Sequence, residues 1–241
     1  MDAIFSLPES QQFALAGGTA LAEFYTGHRV SDDIDVRSFD PELVPLLGDR
    51  LAVELARLLP AVSLERYRRH PTFQGLLIEG PDGSLKLDVG AAAAPQLGDF
   101  TRIDDINVLS ALDLFTDRLH ALYGRRVARD AVDVWAIVTI AKQGIANLEP
   151  LVFAKDQGIL VDRLGWVDAF LAPTISGQLL PDHLRSMLRV SLDEATLRRF
   201  LESEAGAAAR RIEIPSRAGF TDWSATGSAD APPGTAEPEE S

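Results

Sequence analysis

Cysteine is absent from this sequence of 241 residues. Its absence excludes disulfide bonds, zinc–thiolate sites and thiol nucleophiles, although it does not fix the cellular compartment. Histidine is also scarce, with four residues in the chain. A bound metal would therefore have to be held by oxygen ligands or by those few imidazoles. The chemistry open to this chain is mainly that of carboxylates, hydroxyls and basic side chains.

Long apolar runs are absent too. No segment reaches the length of about 18 apolar residues that a membrane-spanning helix requires. The first twelve residues also lack the basic segment followed by an apolar segment that is typical of a secretory signal. With 46% apolar residues, the chain can still bury a core without a metal or disulfides. We expect a soluble, cytoplasmic protein that makes no contact with a membrane.

The sequence has no excess of basic residues. It contains 23 Lys and Arg against 36 Asp and Glu, for a net charge of −13. This balance excludes a protein that coats nucleic acid with a broad basic surface, since such binding depends on neutralising phosphates. A nucleic-acid substrate would have to meet a local basic patch. The run Arg66–His70 is one candidate for such a patch, and a solvated strand edge is the alternative interpretation.

The apolar pattern changes near residue 109, from short strand-like runs to spacings of three and four that predict helices. The predicted fold class is α+β, with a small mixed β-sheet core and flanking helices over 1–108 and a helical bundle over 109–217. Residues 218–241 contain five acidic and no basic side chains and are rich in Gly, Ala, Ser and Pro. We expect this segment to be a disordered acidic tail.

Individual elements are predicted from periodicity and from capping residues. Asn147 precedes a helical segment, and Ser191 with Glu194 matches a capping box. Short apolar runs predict strands over 13–16, 62–68, 73–79 and 85–89 and around 34–36. Helical spacing and capping residues predict helices over 19–26, 41–59, 148–155 and 162–171, with others near 112–122 and 132–138.

Gly17 and Gly18 separate a short apolar run from a predicted helix over Thr19–Thr26. Free backbone N–H groups and the helix dipole at such a helix start can bind a phosphate, and glycine lets the phosphate approach the backbone closely. The hydroxyl of Thr19 could add a donor. A turn without a ligand is the alternative, and the Gly–Gly pair alone does not exclude it.

Asp33 and Asp35 alternate with aliphatic residues, so a strand here turns both carboxylates to one face. They would lie about 6 to 7 Å apart and repel by about 2 to 3 kcal/mol at an effective dielectric near 20. A divalent cation converts this repulsion into binding. Alternation in the 85–89 strand adds Asp88 as a third ligand, and such an all-oxygen set suits Mg²⁺. The alternative is a solvated sheet edge.

Two ordered motifs resemble those of the AbiEii-type nucleotidyltransferase toxins, which belong to the polymerase-beta-like nucleotidyltransferase superfamily. The similarity spans residues 13 to about 140. Its first part is Leu15–Leu21 (LAGGTAL), followed by His28, Arg29, Ser31 and the Asp33-Ile34-Asp35 strand. Its second part is Asp117–Leu122 (DRLHAL) and Arg125–Asp133 (RRVARDAVD), which are similar to the helical Lys-Leu-x-Ala-Leu and Arg-Asp-x-x-Asp motifs of the family.

The resemblance implies a nucleotidyltransferase core over 1–108, with the helical part contributing to the active-site cleft. It also implies roles for matched residues: Gly17, Gly18 and Ser31 in binding the triphosphate, Asp33 and Asp35 in binding Mg²⁺, and Asp130 as a further active-site acid. Thr19 is a further candidate for binding the triphosphate, from its place at the helix start.

Arg118 departs from the family, which usually has lysine at this position. Arginine keeps the positive charge and can bind phosphate as a fork, so the resemblance still implies a catalytic and nucleotide-binding role. It does not readily release a proton, which argues against a role as a base. Without the resemblance, Arg118 and Asp130 could equally be members of surface ion pairs.

The function that the resemblance implies is Mg²⁺-dependent transfer of nucleotides from a nucleoside triphosphate to an RNA acceptor such as the 3′ end of tRNA. The protein would be the toxin of a pair with a separately encoded antitoxin. Because a shared fold does not decide the acceptor, two alternatives stay open. They are transfer to a small molecule or a protein, and a non-catalytic member that binds a nucleotide or a partner.

Overall fold

A computed structural model describes residues 2–212 except 82, 158–160, 163 and 176–178. The predicted tail over 218–241 lies outside the described residues. Within them, a mixed β-sheet is flanked by helices. Its strands are β1 (Ala14–Ala16), β2 (Asp33–Ser38), β3 (Ser63–His70), β4 (Phe73–Gly80), β5 (Gly83–Ala91), β6 (Thr101–Ile103) and β7 (Ile106–Val108), in the order β3-β4-β5-β2-β1-β7-β6.

The helices lie before, between and after these strands, and a 3₁₀ turn spans Pro8–Gln12. None of the described helices is long and apolar enough to cross a membrane. They are α1 (Asp2–Phe5), α2 (Gly17–Ala20, continuing as a π-helix over Leu21–Thr26), α3 (Leu43–Leu58), α4 (Ala111–Arg125), α5 (Ala128–Thr139), α6 (Ile145–Asp156), α7 (Gly165–Ile175), α8 (Asp182–Met187) and α9 (Glu194–Arg211).

The predicted mixed sheet with flanking helices is confirmed, but several element ends differ from the predictions. The side chain of Asp193 caps α9 by accepting from the Thr196 amide, so the predicted Ser191 cap was wrong. Likewise α6 begins after Gly144 rather than at a cap by Asn147. The elements β6, β7 and α8 were not predicted, because they are too short to produce a periodic pattern.

Helix α3 packs on one face of the sheet. Its residues Val44, Leu47 and Leu51 are fully buried and belong to one apolar cluster with Leu76 and Leu87 of the neighbouring strands. Burying each such side chain stabilises the fold by about 1.5 to 3 kcal/mol. This packing holds β4, β5 and β2 in register and leaves their opposite face to the polar residues that alternate with the core.

A second apolar cluster joins the other end of the sheet to the later helices. It contains β1 and residues of α4, α5, α7 and α9, with Trp166 and Phe170 among its buried aromatic rings. Because β1 contributes to this cluster, α4 and α5 are held beside the start of α2. The division of the chain at residue 108 and the helical bundle over 109–217 stay predictions.

Candidate active site

Three carboxylates lie on the sheet face opposite α3. In the parallel pair of β2 and β5, Asp35 is the register partner of Asp88, and Asp33 is the partner of Lys86. Register partners point to the same side of a sheet, and residues two apart on a strand share a face. Asp33, Asp35 and Asp88 therefore project from one face, as their alternation with aliphatic residues indicated.

Each carboxylate is engaged by a neighbouring side chain. Arg129 Nη1 lies 3.4 Å from Asp33 Oδ2, and Arg37 Nη2 lies 2.7 Å from Asp35 Oδ1. The Tyr67 hydroxyl donates to Asp88 Oδ1. Among the described residues, no three acidic or histidine side chains are arranged to hold a metal ion.

The electrostatics of Asp88 indicate that a cation would be favourable here. Burial raises the pKa of Asp88, and the negative charges of Asp35 and Asp33 raise it further, against the lowering effects of Tyr67 and Arg37. The carboxylates therefore repel one another even with their present partners. Asp33, Asp35 and Asp88 offer the carboxylate oxygens that Mg²⁺ prefers, although their side chains are not gathered around one ion position among the described residues.

The glycine turn packs directly against Asp35. Gly17 begins α2 with φ of +68°, a conformation that favours glycine. A Cβ atom at Gly17 would overlap the Asp35 carboxylate, lying 2.6 Å from its Cγ. The N-terminus of α2 is thus in contact with Asp35, one of the three carboxylates on this face.

The other residues predicted to bind the triphosphate surround the same turn. A Cβ atom at Gly18 would meet the Arg29 guanidinium and lie 3.3 Å from Ser31 Oγ. The Thr19 hydroxyl donates to the Asp33 carbonyl oxygen, so it ties α2 to β2 in this structure. The structure brings all four predicted residues together at the start of α2.

Asp133 of α5 is the centre of a buried ion cluster behind this turn. Its Oδ1 accepts from Arg29 Nε at 2.7 Å and lies 2.9 Å from His28 Nε2, while Oδ2 accepts from Arg29 Nη2 at 3.0 Å. Asp133, His28 and Arg29 are all buried. Burial alone would raise the pKa of Asp133, but the His28 hydrogen bond and the Arg29 charge hold it well below its usual range.

Arg118 of α4 joins this cluster from the side on which Asp33, Asp35 and Asp88 lie. Its Nη1 lies 3.5 Å from Asp133 Oδ2, and its buried Nε has no hydrogen-bond partner among the described residues. Burial would lower the pKa of Arg118, but the charges of Asp133 and then Asp35 raise it above its usual value. Arg118 therefore stays charged, and its Nε–H is a donor without a partner among the described residues.

Asp130, which the resemblance marks as an active-site acid, is held differently. It is fully buried, and Arg125 binds it in a fork, with Nη2–Oδ1 of 2.6 Å and Nε–Oδ2 of 2.9 Å. In this structure Asp133, rather than Asp130, contacts Arg29 and Arg118. A catalytic role for Asp130 stays a prediction.

Five residues of this site had no predicted role of their own, which are Arg29, Arg37, Tyr67, Arg129 and Asp133. Two of them left a usable signal. Asp133 lies among aliphatic residues of an otherwise apolar helix segment, where a carboxylate requires a buried partner. Arg37 follows Asp35 by two residues on β2, so the two side chains share a face. The other three come from other parts of the chain, which one-dimensional spacing does not reveal.

Comparison with known protein families shows the family of this chain. The model of the family described as "Nucleotidyl transferase AbiEii toxin, Type IV TA system" matches residues 1–220. The chain belongs to this AbiEii family. Its membership confirms the resemblance drawn from the two motifs and identifies the protein as a nucleotidyltransferase. No curated protein sequence matches the chain.

Two solved structures from Helicobacter pylori share the fold of this AbiEii chain at low sequence identity. JHP933 from Helicobacter pylori is 17% identical over 88% of this chain and 89% of its own, with a TM-score of 0.57. A second H. pylori protein, described as a candidate nucleotidyltransferase, is 16% identical over 88% and 92%, with a TM-score of 0.58. The nucleotidyltransferase toxin MenT4 of Mycobacterium tuberculosis is 15% identical over 86% and 81%, with a TM-score of 0.48.

Proposed function

We propose that this AbiEii-family protein transfers nucleotides from a nucleoside triphosphate to an RNA acceptor such as the 3′ end of tRNA, with Mg²⁺, in the cytoplasm. It would act as the toxin of a pair with a cognate antitoxin. One observation carries the proposal: the glycine turn at Gly17 packs directly on Asp35. This contact supports a site in which the start of α2 binds phosphate beside the carboxylates.

In this proposal, the start of α2 binds the triphosphate. Gly17 and Gly18 add no side chains of their own at this helix start, where backbone N–H groups can bind a phosphate, and the Ser31 hydroxyl lies beside Gly18. Arg118 supplies a fixed positive charge, and its Nε has no hydrogen-bond partner within the part of the chain that the structure describes. Positioning and charge neutralisation of this kind supply most of the rate in phosphoryl-type transfer.

Asp33, Asp35 and Asp88 are the residues that would hold Mg²⁺. When bound, the ion neutralises triphosphate charge and polarises the reacting phosphate. Arg37 and Arg129 balance the charges of Asp35 and Asp33 in the structure. The core over 1–108 thus supplies the carboxylates and the glycine turn, and the helical part over 109–217 supplies Arg118 and the buried Asp130.

Replacing Gly17 by alanine is expected to lower the rate of nucleotide transfer by about 100-fold, because misplacing a catalytic group by about 1 Å has that effect. The new methyl group would displace the Asp35 carboxylate. Gly27→Ala is the matched control. Gly27 also has positive φ, at +62°, but a Cβ atom there meets nothing within 4 Å. Steady-state rates for both variants check this, and equal losses in the two would contradict it.

The proposed function is tested with nucleoside triphosphates labelled on the α- or the γ-phosphate, incubated with Mg²⁺ and total tRNA. We expect the α-label to enter RNA and the γ-label to leave as pyrophosphate. Label in a protein or a small molecule would support the alternative acceptors instead. Calorimetry that detects nucleotide binding without turnover would support a non-catalytic member, and absence of any transfer by folded protein would overturn the proposal.

A further inference from the structure

The edge strand β3 departs from regular alternation beside the carboxylate row. Its pairing with β4 shifts between Arg66 and Arg68, because Arg66 pairs with Leu76 and Arg68 with the adjacent Gly75. Tyr67 is therefore the extra residue of a β-bulge. A bulge redirects side chains that strict alternation would send to opposite faces.

The bulge turns two consecutive side chains toward the carboxylates. Arg66 points to the α3 face, where it binds Asp49 of α3. Arg68 is the register partner of Gly75, and Gly75 is the partner of Asp88, so Arg68 lies on the carboxylate face. The Tyr67 ring lies over Gly75, where a Cβ atom would collide with it, and its hydroxyl reaches Asp88.

The result is a single row across the sheet on one face. From the edge inward it runs Arg68, Gly75, Asp88 and Asp35, each the register partner of the next. Adjacent strands are about 4.8 Å apart, so Arg68 lies about 10 Å from Asp88, with the Tyr67 ring between them.

Tyr67 and Arg68 are also accessible to a ligand. Tyr67 is 43% exposed, which is high for an aromatic ring. Arg68 is exposed, and its guanidinium lies 5.2 Å from the centre of the Phe73 ring. Among the described residues no carboxylate pairs with Arg68. Its positive charge is therefore uncompensated in a chain with a net charge of −13.

In-line geometry indicates where an acceptor would approach the carboxylates. In nucleotidyl transfer the attacking and leaving oxygens lie roughly in line on opposite sides of the phosphorus. In the proposed function the triphosphate binds at the Gly17 turn, at the β1 side of Asp35. With the leaving group on that side, an acceptor on the opposite side would lie toward β3, which carries Tyr67 and Arg68.

We propose that the bulged strand β3 is the acceptor-binding surface and that it binds the single-stranded 3′ end of an RNA. This inference rests on the proposed function and specifies which surface takes the acceptor. Tyr67 offers a ring on which a terminal base stacks, and Arg68 offers an exposed guanidinium beside the Phe73 ring to a phosphate or a second base. Exposed aromatic rings beside uncompensated arginines are the features that bind single strands.

The first test measures binding of a fluorescein-labelled single-stranded RNA by anisotropy, without nucleotide or metal. Tyr67→Ala is expected to weaken binding about 5- to 150-fold, which corresponds to the loss of one base–aromatic stack. Tyr67→Phe keeps the ring and loses only the hydroxyl, so it is expected to bind like the parent. Arg68→Ala is expected to reduce the slope of log affinity against log salt by about 0.7, as for one lost phosphate contact.

Arg57→Ala is the matched arginine control. Arg57 lies on α3, behind the sheet, and pairs with Glu54. Its replacement is expected to leave RNA affinity and salt dependence unchanged. Equal effects of Arg57→Ala and Arg68→Ala, or RNA binding by Tyr67→Ala equal to that of the parent, would overturn the inference. So would a parent protein that does not bind RNA and labels a protein acceptor instead.

A second measurement separates this inference from the proposed function. With transfer to tRNA established, Arg68→Ala is expected to raise KM for the RNA severalfold while KM for the nucleotide stays near that of the parent. An unchanged KM for RNA would overturn the acceptor surface and leave the proposed function standing. Intact RNA binding without any nucleotide transfer would overturn the proposed function alone.

Discussion

Replacing Asp133 by asparagine is expected to lower the free energy of unfolding by about 3 to 5 kcal/mol, the loss typical of breaking a buried ion pair from one side. The substitution leaves the buried Arg29 guanidinium without its counter-ion. Arg29 has a backbone acceptor at Val30 but no second carboxylate among the described residues. Urea unfolding of parent and variant measures the difference.

Asp49→Asn provides the comparison for an exposed pair. Asp49 is bound by Arg66 and Arg69 but is half exposed, so its loss is expected to change stability by at most about 1 kcal/mol. Similar values for the two variants would contradict the buried cluster around Asp133.

The contribution of Asp133 also has a defined pH dependence. Its pKa is lowered in the folded protein, so its stabilising effect is complete above the ordinary aspartate pKa of about 3.9 and is lost as the pH falls through the lower folded pKa. The difference in stability between parent and Asp133→Asn is therefore expected to be constant near neutral pH and to shrink below about pH 4.

Replacing Asp35 by asparagine is expected to lower the rate of nucleotide transfer by about 100- to 1,000-fold, since a metal ligand supplies several kcal/mol of charge stabilisation in the transition state. Asp35 is the residue on which the Gly17 turn packs and whose register partner is Asp88. Stability is expected to stay within about 1 kcal/mol of the parent, because the pair with Arg37 is partly exposed.

Asp32→Asn is the matched control for Asp35→Asn. Asp32 directly precedes the acidic strand, is exposed, and lies 3.3 Å from His183. It is expected to transfer nucleotides at the parental rate. If Asp35→Asn retained more than about a tenth of the parental rate, the several kcal/mol assigned to a metal ligand at this position would be excluded.

The sheet was predictable because its strands follow simple alternation. Asp88 could be placed beside Asp35 from the sequence, since its strand repeats the same pattern of aliphatic and polar residues. Strands of three residues, such as β6 and β7, carry too few positions for a period to be read. The cap of α9 was misplaced because Ser191 and Asp193 are both capping residues, and backbone geometry decides between them.

Those residues of the candidate site that lie close together in one element could be predicted from the sequence. The Gly17 turn and the two aspartates of β2 each form a local pattern. The position of the Tyr67 ring could not be predicted from the sequence, because it depends on a bulge that forms only when β3 pairs with β4. Asp133 and Asp130 differ in their partners: Asp130 is bound by Arg125, five residues before it, whereas Asp133 is bound by Arg29, which is 104 residues away in the chain.

Nucleotide transfer to tRNA is tested most directly by the mass of purified tRNA after incubation with the protein, nucleoside triphosphates and Mg²⁺. We expect tRNA to gain whole nucleotides at its 3′ end with the parent and Asp32→Asn proteins but not with Asp35→Asn. Unchanged tRNA with the folded parent, or equal extension by the parent and Asp35→Asn, would contradict it.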